Sequence, residues 1–226
     1  MALAPATQVI ADERFEQAVK QFNGGEYPAA LTAFETLADE NHAPAQYFIG
    51  LMYAAGLGVP QNYWKASSSY LLAADQGYAP AQTNLGMLYD ECLGIGQCDP
   101  ERAVGWYRLA AQQGERTAQY NLAVMYSIGE GVARDYWSAR KWYRKAAEQG
   151  DLAAQYNLGY FHENGLGGRP DDMEAYIWYR VAAAGGFIDA QPSLDAIAHR
   201  LNAAQLDQAK GVADKRLCVI RHCPRQ

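Results

Sequence analysis

Residues 117–150 read TAQYNLAVMYSIGEGVARDYWSARKWYRKAAEQG. Ala118, Leu122 and Met125 follow i, i+4, i+7 spacing, which puts them on one stripe of an α-helix. The run breaks at Gly129 and Gly131, a residue type that takes positive φ without a Cβ clash. Asp135 stands where an N-cap belongs, ahead of a second periodic run that closes with Ala146, Ala147 and Gly150. The stretch predicts two helices joined by a short turn. A single hairpin of this kind cannot bury its apolar face, so it requires similar neighbours.

The neighbours are present as internal repeats. Ala118-Gln119 recurs as Ala45-Gln46, Ala81-Gln82, Ala154-Gln155 and Ala190-Gln191, at intervals of 36, 37, 36 and 36 residues. Five residues after the first four alanines stand Gly50, Gly86, Ala123 and Gly159, and three further on Tyr53, Tyr89, Tyr126 and His162. Glycine-rich turns begin at Gly56, Cys92, Gly129 and Gly165, and Asn62, Asp99, Asp135 and Asp171 are the expected N-caps of the second helices. Each unit then carries Ser69-Tyr70, Trp106-Tyr107, Trp142-Tyr143 or Trp178-Tyr179 and ends at Gly77, Gly114, Gly150 or Gly186. The small residues let helices approach closely, and the aromatic pairs are expected to fill the space between hairpins.

This order, A-x-x-x-L-G-x-x-Y followed by G-x-G, an acidic cap and A-x-x-W-Y-x-x-A-A-x-x-G, resembles the Sel-one-like repeat family, relatives of the tetratricopeptide repeat. The resemblance implies an all-α fold, a right-handed α-α superhelix (solenoid) of about six helical hairpins. It divides the chain into an N-terminal tetratricopeptide-like capping hairpin (1–42), four repeats over 43–187 (43–78, 79–115, 116–151, 152–187), and C-terminal capping helices with a tail (188–226). Gly24-Gly25 is the expected turn of the first hairpin, Pro192 the start of a helix after the repeats, and Asn202-Ala-Ala-Gln205 a capping box opening the last helix.

Composition narrows the function. Half of the 226 residues are apolar, which argues against disorder. No apolar run approaches the roughly 20 residues a spanning helix needs, so no membrane span is expected. A net charge of −6 argues against nucleic acid as the partner, because that binding rests on clustered lysine and arginine. The opening MALAPATQVIADERF lacks a basic and then apolar leader, yet the cysteines fall in near pairs, Cys92 with Cys98 and Cys218 with Cys223. Such pairing suits an oxidising compartment and favours an exported, periplasmic chain over a cytoplasmic one.

Ser138 and Lys141 form a Ser-x-x-Lys, the spacing of penicillin-recognising enzymes. Their slots hold unrelated residues in the other repeats, so the pair reads as a solvent-facing helix surface. His162 is followed by Glu163, but no second histidine stands four residues on, so it reads as a core or groove histidine. The Gly-x-Gly turns join helices and do not suit a dinucleotide. The longer turn holding Cys92 and Cys98 reads as a loop closed by a disulfide, with free thiols as the alternative. Cys218, His222 and Cys223 offer too few ligands for structural zinc, which leaves a disulfide pinning the tail. No catalytic residue, metal or cofactor is expected.

The resemblance to tetratricopeptide repeats implies that the first helix of each hairpin lines the concave face. It places three rows there: Tyr47, Thr83, Tyr120 and Tyr156; Phe48, Asn84, Asn121 and Asn157; Leu51, Met87, Val124 and Tyr160. The asparagines either meet a ligand or bond neighbouring groups in the stack. Asp90, Glu91 and Glu163 near the helix ends, with Arg116 the only lysine or arginine of these helices, make the face aromatic, amide-rich and mildly acidic. Tyrosine and asparagine combine rigid area with adaptable hydrogen bonds. The expected function is a non-enzymatic scaffold holding another protein or a peptide segment, with self-association through the terminal hairpins a further expectation. A saccharide-binding module or a β-lactam or peptidoglycan-type hydrolase are the alternatives.

Overall fold

A computed structural model describes residues 6–94 and 96–221, with side chains from residue 13 onwards. The described residues form twelve α-helices and no strand. The chain divides into two compact units, residues 1–113 and 114–226. The first holds α1 (Ala6–Asn23), α2 (Tyr27–Asp39), α3 (Ala43–Ala55), α4 (Tyr63–Asp75), α5 (Ala79–Asp90) and α6 (Pro100–Gln112). The second holds α7 (Arg116–Ile128), α8 (Tyr136–Glu148), α9 (Leu152–Glu163), α10 (Asp172–Gly185), α11 (Ala190–Ala198) and α12 (Ala203–Ile220). Consecutive helices from α1 to α6 and from α7 to α11 pack on one another, and α12 packs on α10.

The helix starts follow the expected caps. Asn62, Asp99, Asp135 and Asp171 each accept the backbone N–H three residues on, from Lys65, Arg102, Ser138 and Glu174. Asn202 and Gln205 exchange both bonds of the capping box at 3.0 Å. The helix expected to begin at Pro192 begins two residues earlier, at Ala190, because proline is accepted in a first turn where its missing N–H has no helical partner.

The core is built from two recurring contacts. Tyr70, Tyr107, Tyr143 and Tyr179 of the second helices are all nearly inaccessible to solvent. A Cβ added at Gly50, Gly86 or Gly159 would lie 2.5, 2.7 or 2.7 Å from a carbon of the Tyr70, Tyr107 or Tyr179 ring, so these glycines exist to admit the ring. In the third repeat, the slot is Ala123, itself fully buried.

The second contact is a clasp of glutamines. Gln46, Gln82, Gln119 and Gln155, the second residues of the Ala-Gln pairs, are buried. The side-chain amide of Gln76 donates to Gln46 Oε1 at 2.7 Å, that of Gln113 to Gln82 at 2.8 Å, and that of Gln149 to Gln119 at 2.8 Å. Gln82 and Gln155 in turn donate to the carbonyls of Ala74 and Ala147 at the end of the preceding helix, both at 3.1 Å. In the fourth repeat the partner position is Gly185, and Leu152 occupies the space where its side chain would begin. Gln155 Oε1 is accordingly buried with no donor among the described residues. The fifth Ala-Gln pair departs from the pattern: Gln191 is exposed and bonds Asp195 on its own helix.

Cys92 and Cys98 form a disulfide. Cys92 holds the slot that is Gly56, Gly129 and Gly165 elsewhere and keeps the same left-handed backbone, with φ of 61°. For a residue with a Cβ this conformation costs on the order of 1–2 kcal/mol, and the crosslink holds it in place. The expected pair of Cys218 with Cys223 falls on a residue outside those described.

Candidate functional site

The first-helix residues predicted to meet a partner lie as follows. In the first unit Tyr47 is half-buried against the rings of Phe48, Tyr70 and Tyr78, at 5.7, 5.8 and 5.4 Å between centroids. Phe48 belongs to the aromatic core of the N-terminal hairpin, stacked on Phe34 at 4.9 Å. Asn84 and Met87 of α5 are half-buried. Thr83 is buried, its hydroxyl donating to the Ala79 carbonyl at 3.0 Å, so it presents nothing to a ligand. In the second unit Tyr120 packs on Tyr143 at 5.9 Å, and Tyr156 packs on Tyr179 and Phe187 at 5.5 and 5.2 Å. Asn121, Val124 and Asn157 are half-buried, and Tyr160 is 46% exposed.

Two of the asparagines act on phenols of the stack: burial raises the pKa of Tyr70 and of Tyr120, and Asn84 and Asn157 partly oppose that rise. The acids at the helix ends are engaged as well. Tyr107 donates to Asp90 at 3.3 Å; Tyr179 donates to Glu163 at 2.7 Å, and Arg200 pairs with the same carboxylate at 2.7 Å. The face is therefore less acidic than its composition predicts, because Arg200, 37 residues away, neutralises Glu163.

A different feature was not read from the sequence. Helices α8, α10 and α12 border a cleft of about 730 Å³, with His162 of α9 on its wall. Arg140, Arg144 and Glu148 come from α8, Glu174 and Trp178 from α10, and Val212, Lys215, Arg216, Val219 and Ile220 from α12. Arg216 holds Glu174 through two bonds of 2.9 Å and lies over the Trp178 ring at 4.6 Å, while Arg180 pairs with Asp214 at 3.0 Å. These contacts fix α12 along α10. They join residues 34 and 42 positions apart, which no repeat pattern signals.

The profile of the Sel1 repeat matches residues 43–78, 79–115, 116–151 and 152–187, well over half of the chain. The protein belongs to the Sel1 repeat family. A Sel1 repeat protein from Oxalobacter formigenes is 32% identical over 88% of this chain and 84% of its own, with a TM-score of 0.76. The protein c5321, a protective antigen present in uropathogenic Escherichia coli strains and displaying an SLR fold, is 31% identical over 96% of this chain, with a TM-score of 0.78. The chain spans only 51% of that protein's length. Immunity protein Pa5087 from Pseudomonas aeruginosa shares the fold at 17% identity, a TM-score of 0.55 and coverage of 100% of this chain and 90% of its own. No curated protein matches the chain.

Within the Sel1 repeats, Ser138 is a helix-start residue: its hydroxyl donates to the capping carboxylate of Asp135 at 2.6 Å, which lowers the carboxyl pKa. Lys141 lies over the Trp137 ring at 5.5 Å. Serine and lysine thus serve different local contacts. Among the described residues no cluster of histidine, cysteine and acidic side chains is arranged to hold a metal.

His162, in the slot that is tyrosine in the other three repeats, is buried. An Arg140 nitrogen lies 3.0 Å from its Nδ1 and 3.3 Å from its Nε2. Burial first, and then the guanidinium of Arg140, lower its pKa to about 4; Arg144 acts in the same direction, while Glu174 and Asp171 oppose it. An imidazole that resists protonation when folded but accepts a proton near pH 6.5 when unfolded stabilises the fold fully above that pH. The stabilisation is lost as pH falls from 6.5 towards 4, by up to about 3 kcal/mol at 1.36 kcal/mol per pKa unit. His162→Tyr, which restores the residue of the other repeats, is expected to flatten this part of the profile. Denaturant midpoints at pH 7 and pH 4.5 for both proteins measure it.

Proposed function

We propose that the protein is a non-enzymatic interaction scaffold that holds a peptide or protein segment on the exposed face of its first helices, in the envelope of a bacterium. Sel1 repeats generally mediate protein interaction, and the half-buried Tyr120, Asn121, Val124, Tyr156, Asn157 and exposed Tyr160 of the second unit support a contact surface there. The observation that carries the reading is Tyr160, a large aromatic side chain 46% exposed beside a row of tyrosines whose rings rest on the core. Buried aromatic support lowers the entropy spent on ordering a binding face. In the first unit Tyr47, Asn84 and Met87 offer the equivalent positions. The envelope location draws on the Cys92–Cys98 disulfide, on the bacterial origin of the chains that are about a third identical, and on the description of one of them as a protective antigen. No described helix is long and apolar enough to cross a membrane.

Saccharide binding finds less support, since Tyr47, Tyr120 and Tyr156 each lie against neighbouring rings. Hydrolysis finds less still, with Ser138 bonded to an N-cap carboxylate and no serine or cysteine among the described residues that line the large cleft. The test is selection of a displayed peptide library on the wild-type protein, followed by titration of the enriched peptides against Asn121→Ala/Tyr160→Ala. Loss of at least tenfold in affinity, with unchanged circular dichroism, supports the first-helix face. Unchanged affinity overturns it.

A further inference from the structure

We propose that the cleft between α8, α10 and α12 binds a small organic anion, a carboxylate carried on an alkyl or aryl body. Its size, about 730 Å³, falls in the range of roughly 300–1,000 Å³ typical of small-molecule sites.

The charges in the cleft are incompletely matched. Arg216 is held by Glu174, but Arg140, Arg144 and Lys215 form no ion pair with a carboxylate among the described residues. Arg140 directs its guanidinium to the uncharged imidazole of His162. Asp171, which caps α10, and Glu148 are the other two acids, so the lining sets the four cations Arg140, Arg144, Lys215 and Arg216 against three carboxylates and carries a net positive charge. Lys141 and Lys145, on the same helix as the two arginines, line an adjoining hollow and add to the positive field of α8.

A second observation is independent of charge. Trp178 is 3% exposed, lines the cleft, and its indole Nε1–H has no acceptor among the described residues. A buried donor without a partner is costly and rare, and a ligand oxygen would satisfy it. Arginine offers a planar fork suited to a carboxylate, so Arg144, which is not held by His162 as Arg140 is, makes a polar end together with the indole N–H. Val212, Val219 and Ile220 make an apolar one. Val219 is 76% exposed, an apolar side chain at the entrance that a bound alkyl or aryl group would cover.

A free metabolite and the C-terminus of a peptide share this chemistry. The test is calorimetric titration of 4-phenylbutyrate against 4-phenylbutyramide, and of an N-acetylated leucine dipeptide with a free against an amidated C-terminus. At least one acid is expected to bind tenfold or more tightly than its amide, and the tighter acid identifies the source. Arg144→Gln should abolish that preference, and Trp178→Phe, which keeps the ring and removes the N–H, should weaken the acid several-fold. Tyr160→Ala should leave it unchanged, which separates this site from the first-helix face. Equal binding of acid and amide, or no binding of either acid at millimolar concentration, overturns the proposal.

Discussion

Replacement of Tyr179 by alanine should lower the unfolding free energy by about 3–5 kcal/mol, the cost of emptying a large buried aromatic site. The ring is 1% exposed, packs against the backbone at Gly159 and against Tyr156, and sends its hydroxyl to Glu163 at 2.7 Å. Burial and the neighbouring carboxylate push the phenol pKa well up, so it remains a donor throughout the working range. Two losses therefore combine: the ring's volume, and the hydrogen bond that Glu163 accepts. Tyr179→Phe separates them, with about 2 kcal/mol expected for a bond to a charged acceptor. Glu163 keeps Arg200 in both variants, which limits the electrostatic part. Guanidinium unfolding of the three proteins gives both numbers. A Tyr179→Ala protein within 1 kcal/mol of wild type, judged against the range for such sites, would mean that α9 and α10 close over the gap.

Gly86→Val should cost about 3 kcal/mol for the opposite reason, overfilling. The new Cβ alone would stand 2.7 and 2.8 Å from two carbons of the Tyr107 ring, before either methyl is placed. Tyr107 has little room to retreat, since it is 1% exposed and its hydroxyl is bound to Asp90. Gly86→Ala brings the same Cβ and should also destabilise, though less than valine, because about 1 kcal/mol of helix propensity offsets part of the contact. Ala123 fills this slot in the third repeat, buried among its own contacts. Thermal melts should therefore rank the wild type above Gly86→Ala and Gly86→Ala above Gly86→Val. A Gly86→Ala protein that melts at or above the wild-type temperature would show that the Tyr107 ring moves aside rather than resists.

The sequence made the hairpins legible because the repeat supplies four independent readings of every slot. N-caps, turn glycines and buried tyrosines fall where the spacing puts them. The glutamine clasp went unread although its signal was there: a polar residue at an invariant core slot, with a second glutamine 30 or 31 residues later. The first glutamine marks the repeat as part of the Ala-Gln pair, but the need of either amide for a partner is only evident once burial is known. The neutralised Glu163 and the α12 cleft could not be read in the same way. Their contacts join a repeat to a non-repeating segment, so no second copy exists to reveal them. Thr83 shows the same limit on a smaller scale, since a threonine in a tyrosine slot turns its hydroxyl back to the helix backbone.

The clasp also says how an array of this kind can lengthen by gene duplication. A copy of the first, second or third repeat carries both glutamines, so it can be inserted in the interior and every amide finds a partner. A copy of the fourth brings Gly185 and Leu152 instead, and each such copy would add another buried glutamine oxygen without a donor among the described residues. Lineages that gain repeats should therefore gain them by copying one of the first three units rather than the last.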